Sequence, residues 1–154
     1  VDRGEPDVVG IELEGIESAE PSREVLEALR VAEAIVIGPS NPVISIGPIL
    51  AVPGMRDAIA ASRAPVVAVS PYVAGAVVKG PTDRFMQALN RPTTAAGVAS
   101  LYAGLVDGMV VDEGDPDPPP AEVATLAAPT LMEGASGRAR VARIVLDYAT
   151  SLAA

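Results

Sequence analysis

The sequence predicts an α/β fold, a Rossmann-like open and mostly parallel sheet with helices on both faces. Three short aliphatic runs carry the prediction: "AIVIG" at 34–38, "PVVAVS" at 65–70 and "GMVVD" at 108–112 have no polar face, as strands covered on both sides require. Amphipathic stretches of helical period separate them, so strand and helix alternate along the chain. Hydrophobic residues make up 49% of the chain but aromatics only 3%, so the core is built from Ala, Val, Leu and Ile. Such a core suits layered helices and strands better than an aromatic-rich sandwich.

Taken in order, Val9, Ile11 and Leu13 alternate with Gly10, Glu12 and Glu14, the period of a half-exposed strand near a sheet edge. Pro21 and Ser22 open a helix that puts Val25, Leu29 and Ala32 on one face and Arg23, Glu24, Glu27 and Arg30 on the other. The strand at 34–38 follows, and helical sequence resumes after Pro53 and Gly54 with "MRDAIAAS". The strand at 65–70 feeds an irregular "PYVAGAVVKGP", and helix "TDRFMQAL" turns Phe85, Met86 and Leu89 inward. "AAGVASLYAGL" reads as a strand start passing into a helical turn. After the strand at 108–112, "EGDPDPPPAE" can pack no core and predicts a solvated loop. A weak last strand lies in "ATLAAPTLM", and "GRARVARIVLDYATSL" closes with a helix that turns Val141, Ile144, Val145, Tyr148 and Leu152 inward.

The chain of 154 residues is long enough for one α/β domain over 1–154. A net charge of −9 argues against a nucleic-acid groove or a polybasic membrane surface, so neither nucleic acid nor membrane is expected as a partner. With no Cys and no His, thiolate chemistry, zinc-thiolate sites and the commonest general base are excluded. The lack of a long apolar run or a signal-peptide pattern points to the cytoplasm. Because the chain opens on Val1 in mid-pattern, it is expected to be the C-terminal half of a longer protein.

Ligands of open α/β sheets sit beyond the carboxyl ends of the strands. Two loops fall there. In Gly38-Pro39-Ser40-Asn41-Pro42 the glycine allows close backbone approach, and Ser40, Asn41 and Ser45 offer side-chain hydrogen bonds. Helical sequence from Ser45 to Gly47 would add free N–H groups facing an anion. A proline-stiffened turn with no ligand is an equal alternative. Lys79, the only lysine in the chain, follows the strand at 65–70 and could reach a diphosphate, although a solvated surface lysine fits as well. Asp112, Glu113, Asp115 and Asp117 could hold Mg²⁺, but the prolines among them favour a solvated loop. Asp83 reads as a helix-dipole partner, and Tyr72 as a residue able to stack on a planar ligand.

In order and spacing, "VIGPSNPVISIGPILAVPGMRDAI", "APVVAVSPYVAGAVVKGPTDRFM" and "GVASLYAGLVDGMVVDE" resemble the C-terminal portion of the 2-phospho-L-lactate transferases of coenzyme F-420 biosynthesis. The resemblance implies transfer of a phospholactyl or phosphoenolpyruvyl group from a guanosine-diphosphate-linked donor to the deazaflavin Fo, with release of GMP. It implies Mg²⁺ held by ligands outside this chain, and a homodimer. By matching positions, Gly38, Pro39, Ser40, Asn41 and Ser45 would line the donor site, with Ser70, Lys79 and Gly80 forming its neighbouring wall. Pro129 departs from the family pattern and argues against a ligand contact nearby. A sister group of UDP-sugar-binding regulators shares a Gly-Pro loop after the same strand, but Asn41 and Pro42 favour the transferase. A third reading is a structural or dimerisation piece that binds no ligand.

Overall fold

The computed structural model describes residues 8–117 and 120–153. Four parallel strands, β1 (Ile35–Ile37), β2 (Val66–Val69), β5 (Gly108–Asp112) and β6 (Ala124–Ala128), lie side by side in that order. A separate antiparallel hairpin is formed by β3 (Tyr72–Val73) and β4 (Ala76–Val77). The helices are α1 (Arg23–Val31), α2 (Gly47–Ala51), α3 (Met55–Ala60), α4 (Thr82–Ala88), α5 (Ala95–Leu101) and α6 (Gly134–Leu152).

Period-2 alternation sorts the strand residues between two cores. Val66, Ala68, Met109 and Val111 join Val43, Leu50, Ile59, Met86 and Val98 on one face of the sheet. Val67, Val69 and Val110 meet Val141, Val145 and Ala149 of α6 on the other. β2 and β5 are buried along their whole lengths, which is why their sequences show no polar face. Gly108 lets α6 approach closely, since a Cβ there would stand 2.7 Å from the Tyr148 ring. At the start of β5 the Asp107 carboxylate accepts from Val66 N at 2.8 Å and fixes the β2–β5 register.

Four expectations need correction. Residues 8–13 form no strand, and Val9 is fully exposed, so its alternating neighbours have no partner to pair with among the described residues. α1 starts where Ser22 caps Val25 N, yet only Leu29 packs against the core while Val25 and Leu26 stay exposed. The expected strand-then-turn at 95–105 is a helix, α5, because the Thr94 hydroxyl accepts from Gly97 N and starts a helical ladder. The supposedly irregular stretch after β2 contains the β3–β4 hairpin, whose two-residue turn places Ala74 at φ 50° and Gly75 at φ 76°. That is a turn with both central residues left-handed, and Ala at its first position hides it from a glycine-based reading.

Candidate functional site

A cavity of about 320 Å³ opens beyond the carboxyl ends of the parallel strands. The loop after β1 supplies Pro39, Ser40 and Asn41, and the exit from β2 supplies Ser70. The hairpin and the segment after it supply Val73, Val77, Lys79, Gly80 and Thr82, while the segment after β6 supplies Thr130, Leu131 and Met132. Of the residues expected at a ligand site, Pro39, Ser40, Asn41, Ser70, Lys79 and Gly80 therefore share one cleft. Gly38 and Ser45 do not line it; the Gly38 carbonyl accepts from Ser40 N at 2.8 Å.

Asn41 shapes the loop. Its Oδ1 accepts from Val43 N at 2.9 Å and Ile44 N at 3.1 Å, capping a single π-helical turn over Pro42–Ile46. Pro42 at the first position has no N–H to lose, and Ser45 N and Ile46 N both donate to the Asn41 carbonyl. The free N–H groups expected from Ser45 to Gly47 are thus not a ready anion cradle, since those of Ser45 and Ile46 are already bonded. What remains to meet a ligand is the Asn41 amide nitrogen, buried with no partner, together with Ser40 and the exposed Lys79 ammonium.

The core is otherwise apolar, and the buried polar side chains among the described residues gather here: Ser70, Thr82, Asp112 and Thr130. Ser70 Oγ accepts from Tyr72 N at 3.1 Å, and the other three sit at or just below the cleft wall. Asp112 ends β5 and is buried rather than solvated, which corrects the expectation drawn from the acidic run. Its carboxylate accepts from Thr130 N at 3.0 Å, Thr130 Oγ1 at 2.9 Å, Gly114 N at 3.0 Å and Ala74 N at 3.1 Å. Burial pushes this carboxyl up, but the donors from Thr130, Gly114 and Ala74 together hold it below its ordinary value. Asp115 accepts from Gly75 N at 2.7 Å through one oxygen while the other is buried without a partner. Burial first, and then the nearby Asp112 and Asp117 charges, raise it.

These carboxylates do not fit a Mg²⁺ centre. Asp112 already commits its lone pairs to four donors, and among the described residues no three acidic side chains converge. Tyr72 is corrected too. It is a buried core residue, not a stacking platform, and its hydroxyl donates to Asp83 Oδ1 at 2.8 Å. Burial, then the Asp83 carboxylate, raises the phenol well above its usual range, so it stays a donor. Asp83 itself sits in the first turn of α4, as expected of a dipole partner.

Sequence reasoning missed the hairpin wall and Thr130, Leu131 and Met132. The available signal was their place just past the carboxyl end of β6, which Pro129 obscured.

A parallel sheet with its cleft at the strand ends defines a Rossmann-like α/β protein. The family described as 2-phospho-L-lactate transferase CofD matches residues 2–135, and the chain belongs to that family. It is 46% identical over 113 residues to a 2-phospho-L-lactate transferase of Methanosarcina mazei, covering 73% of this chain and 37% of the relative. It is 44% identical over 140 residues to a phosphoenolpyruvate transferase of Kitasatospora aureofaciens, covering 88% and 44%. A crystal structure of protein BH3568 from Bacillus halodurans superposes with a TM-score of 0.54 at 25% identity, over 82% of this chain and 47% of that one. The chain thus spans less than half the length of these relatives. Among the described residues, no helix is long and apolar enough to cross a membrane.

Proposed function

We propose that this chain supplies part of the donor site of a transferase that moves a phospholactyl or phosphoenolpyruvyl group from a guanosine-diphosphate-linked donor to the deazaflavin Fo. One observation carries the reading. In a chain of net charge −9, the cleft at the strand ends is lined by the sole lysine and by no carboxylate. Such a lining selects an anion against the field of the surrounding protein.

Lys79 and the unpartnered Asn41 amide would hold diphosphate oxygens, with Ser40 adding a hydroxyl. Val77, Val78, Leu131 and Met132 add an aliphatic wall beside those polar groups. In the transfer, the acceptor hydroxyl forms a new P–O bond to the phosphorus that carries the three-carbon acid. The P–O bond to GMP breaks, and the hydroxyl proton leaves. Chemistry of this kind depends on positioning and charge stabilisation and needs neither His nor Cys. The cavity is at the small end for a ligand pocket, enough for the diphosphate and acid rather than a whole nucleotide conjugate. Mg²⁺, the nucleoside contacts and the homodimer of the same reading would involve parts of the protein beyond the residues described.

Calorimetric titration of the full protein carrying this chain, with GDP and with UDP-N-acetylglucosamine, tests the reading. GDP is expected to bind more tightly, and Lys79→Ala to weaken it at least about tenfold through loss of a charge-assisted contact. Preference for the UDP-sugar would make the protein a sugar-nucleotide binder instead. GDP affinity untouched by Lys79→Ala would remove the cleft from the account.

A further inference from the structure

We propose that Asp112 is the positioning residue of the cleft, the single carboxylate through which two of its walls are set against each other. The inference rests on the reading of the cleft as the donor site.

The two walls are distant in sequence and share no strand pairing. One is the β3–β4 hairpin, which carries Val73, Val77 and the approach to Lys79. The other is the segment leaving β6, with Thr130, Leu131 and Met132. Asp112 stands between them at the end of β5. Its Oδ1 takes the Ala74 amide from the hairpin and the Gly114 amide, and its Oδ2 takes both the amide and the hydroxyl of Thr130. The Ala74 amide belongs to a residue at φ 50°, a backbone state that a non-glycine residue holds only when its surroundings impose it. Asp115 bonds the hairpin through Gly75 N and, among the described residues, makes no hydrogen bond to the β6 side. Among the described residues, the buried carboxylate is therefore the side chain that hydrogen-bonds both walls of the cleft. Its net stabilisation in the charged form agrees with a group fully engaged with donors.

The side chain does not line the cavity, so its role runs through the backbone it holds. Two substitutions separate the walls. Asp112→Asn keeps an oxygen for Ala74 and Gly114 but presents an amide to Thr130 N, donor against donor. Asp112→Ala releases both walls. Amide exchange in the full protein, followed residue by residue, is expected to accelerate more than tenfold at Thr130 in Asp112→Asn, and at Thr130 and Ala74 together in Asp112→Ala. Val145→Ala, which thins the core under α6 on the opposite face, serves as the destabilised control and should accelerate neither selectively.

GDP affinity, measured well below each melting temperature, is expected to fall at least tenfold in Asp112→Ala and to stay at the wild-type value in Val145→Ala. Equal acceleration in the Val145→Ala control would overturn the proposal, since the walls would then respond to stability alone. So would unchanged GDP affinity in an Asp112→Ala protein whose walls are released. Should the wild-type protein fail to bind GDP, the transferase reading fails. The pinning of the two walls is then decided by the exchange pattern, which supports it if selective and refutes it if not.

Discussion

Asn41 has two jobs that a pair of substitutions can pull apart. Asn41→Ala removes the oxygen that accepts from Val43 N and Ile44 N, and loss of such a cap costs about 1 kcal/mol. In a domain of this size that lowers the melting temperature by roughly 3 °C. Asn41→Asp keeps the capping oxygen but turns the buried, unpartnered amide nitrogen into a carboxylate oxygen. Leaving that oxygen without a donor costs about 1–3 kcal/mol of stability. The effect on an anionic ligand is larger. A like charge at ~4 Å in a partly screened site opposes binding by about 4 kcal/mol. Even half of that, after discounting for solvent at the cleft mouth, weakens pyrophosphate or GDP roughly thirtyfold. Thermal unfolding followed by calorimetric titration reads both quantities. The Ala variant should lose modest stability and modest affinity, and the Asp variant should lose affinity out of proportion to stability. Wild-type pyrophosphate affinity in Asn41→Asp would show that no anion sits at this loop.

Four further outcomes follow from the same geometry. Asp115 has a raised folded pKa, so its charged form is disfavoured in the native state and its penalty is present above the ordinary carboxylate range; Asp115→Asn should raise the melting temperature at pH 7 and make little difference at pH 3. Asp112 has the opposite sign: its contribution is present above the ordinary range and lost as pH falls through the lowered folded value, so the deficit of Asp112→Asn should shrink on acidification, and a deficit independent of pH would contradict the assignment. Ala74→Gly relieves a left-handed alanine and should stabilise by about 0.5–1 kcal/mol in chemical denaturation. Gly97→Ala would drive its Cβ into the Pro92 carbonyl, so the backbone must move, and a loss of about 2–3 kcal/mol is expected; a neutral result would mean that Pro92 does not pack against α5 at Gly97.

The sheet was legible because β2 and β5 are buried on both faces, and a short aliphatic run bounded by turn residues fits little else than a covered strand. The cleft was legible in part: the Gly-Pro-Ser-Asn-Pro run and Lys79 could be placed at strand ends by topology alone. The rest depended on tertiary partners. Asp112 has the same neighbours in sequence as a solvated acid, and only the donors arriving from Ala74 and Thr130 make it a buried anchor. Tyr72 looked like a loop aromatic because the hairpin that buries it has alanine where the turn would ordinarily advertise glycine or asparagine. Residues 9–13 have the alternation of a strand, but alternation cannot say whether a neighbouring strand is present to pair with.

The adjacency of β1, β2, β5 and β6 also bears on the order in which the chain can assemble. Ile35 pairs with Val66, Val67 with Gly108, and Gly108 with Ala124, so the closures span roughly 31, 41 and 16 residues. Closing the shortest loop is favoured over the longest by about 0.8 kcal/mol of chain entropy. β5 and β6 form the most accessible nucleus, and the β2–β5 closure, which brings β1 and its Gly-Pro loop to them, needs the longest search. On that order a partly folded chain carries one bank of the cleft without the other, and cannot hold a ligand that must touch both until β2 has docked on β5.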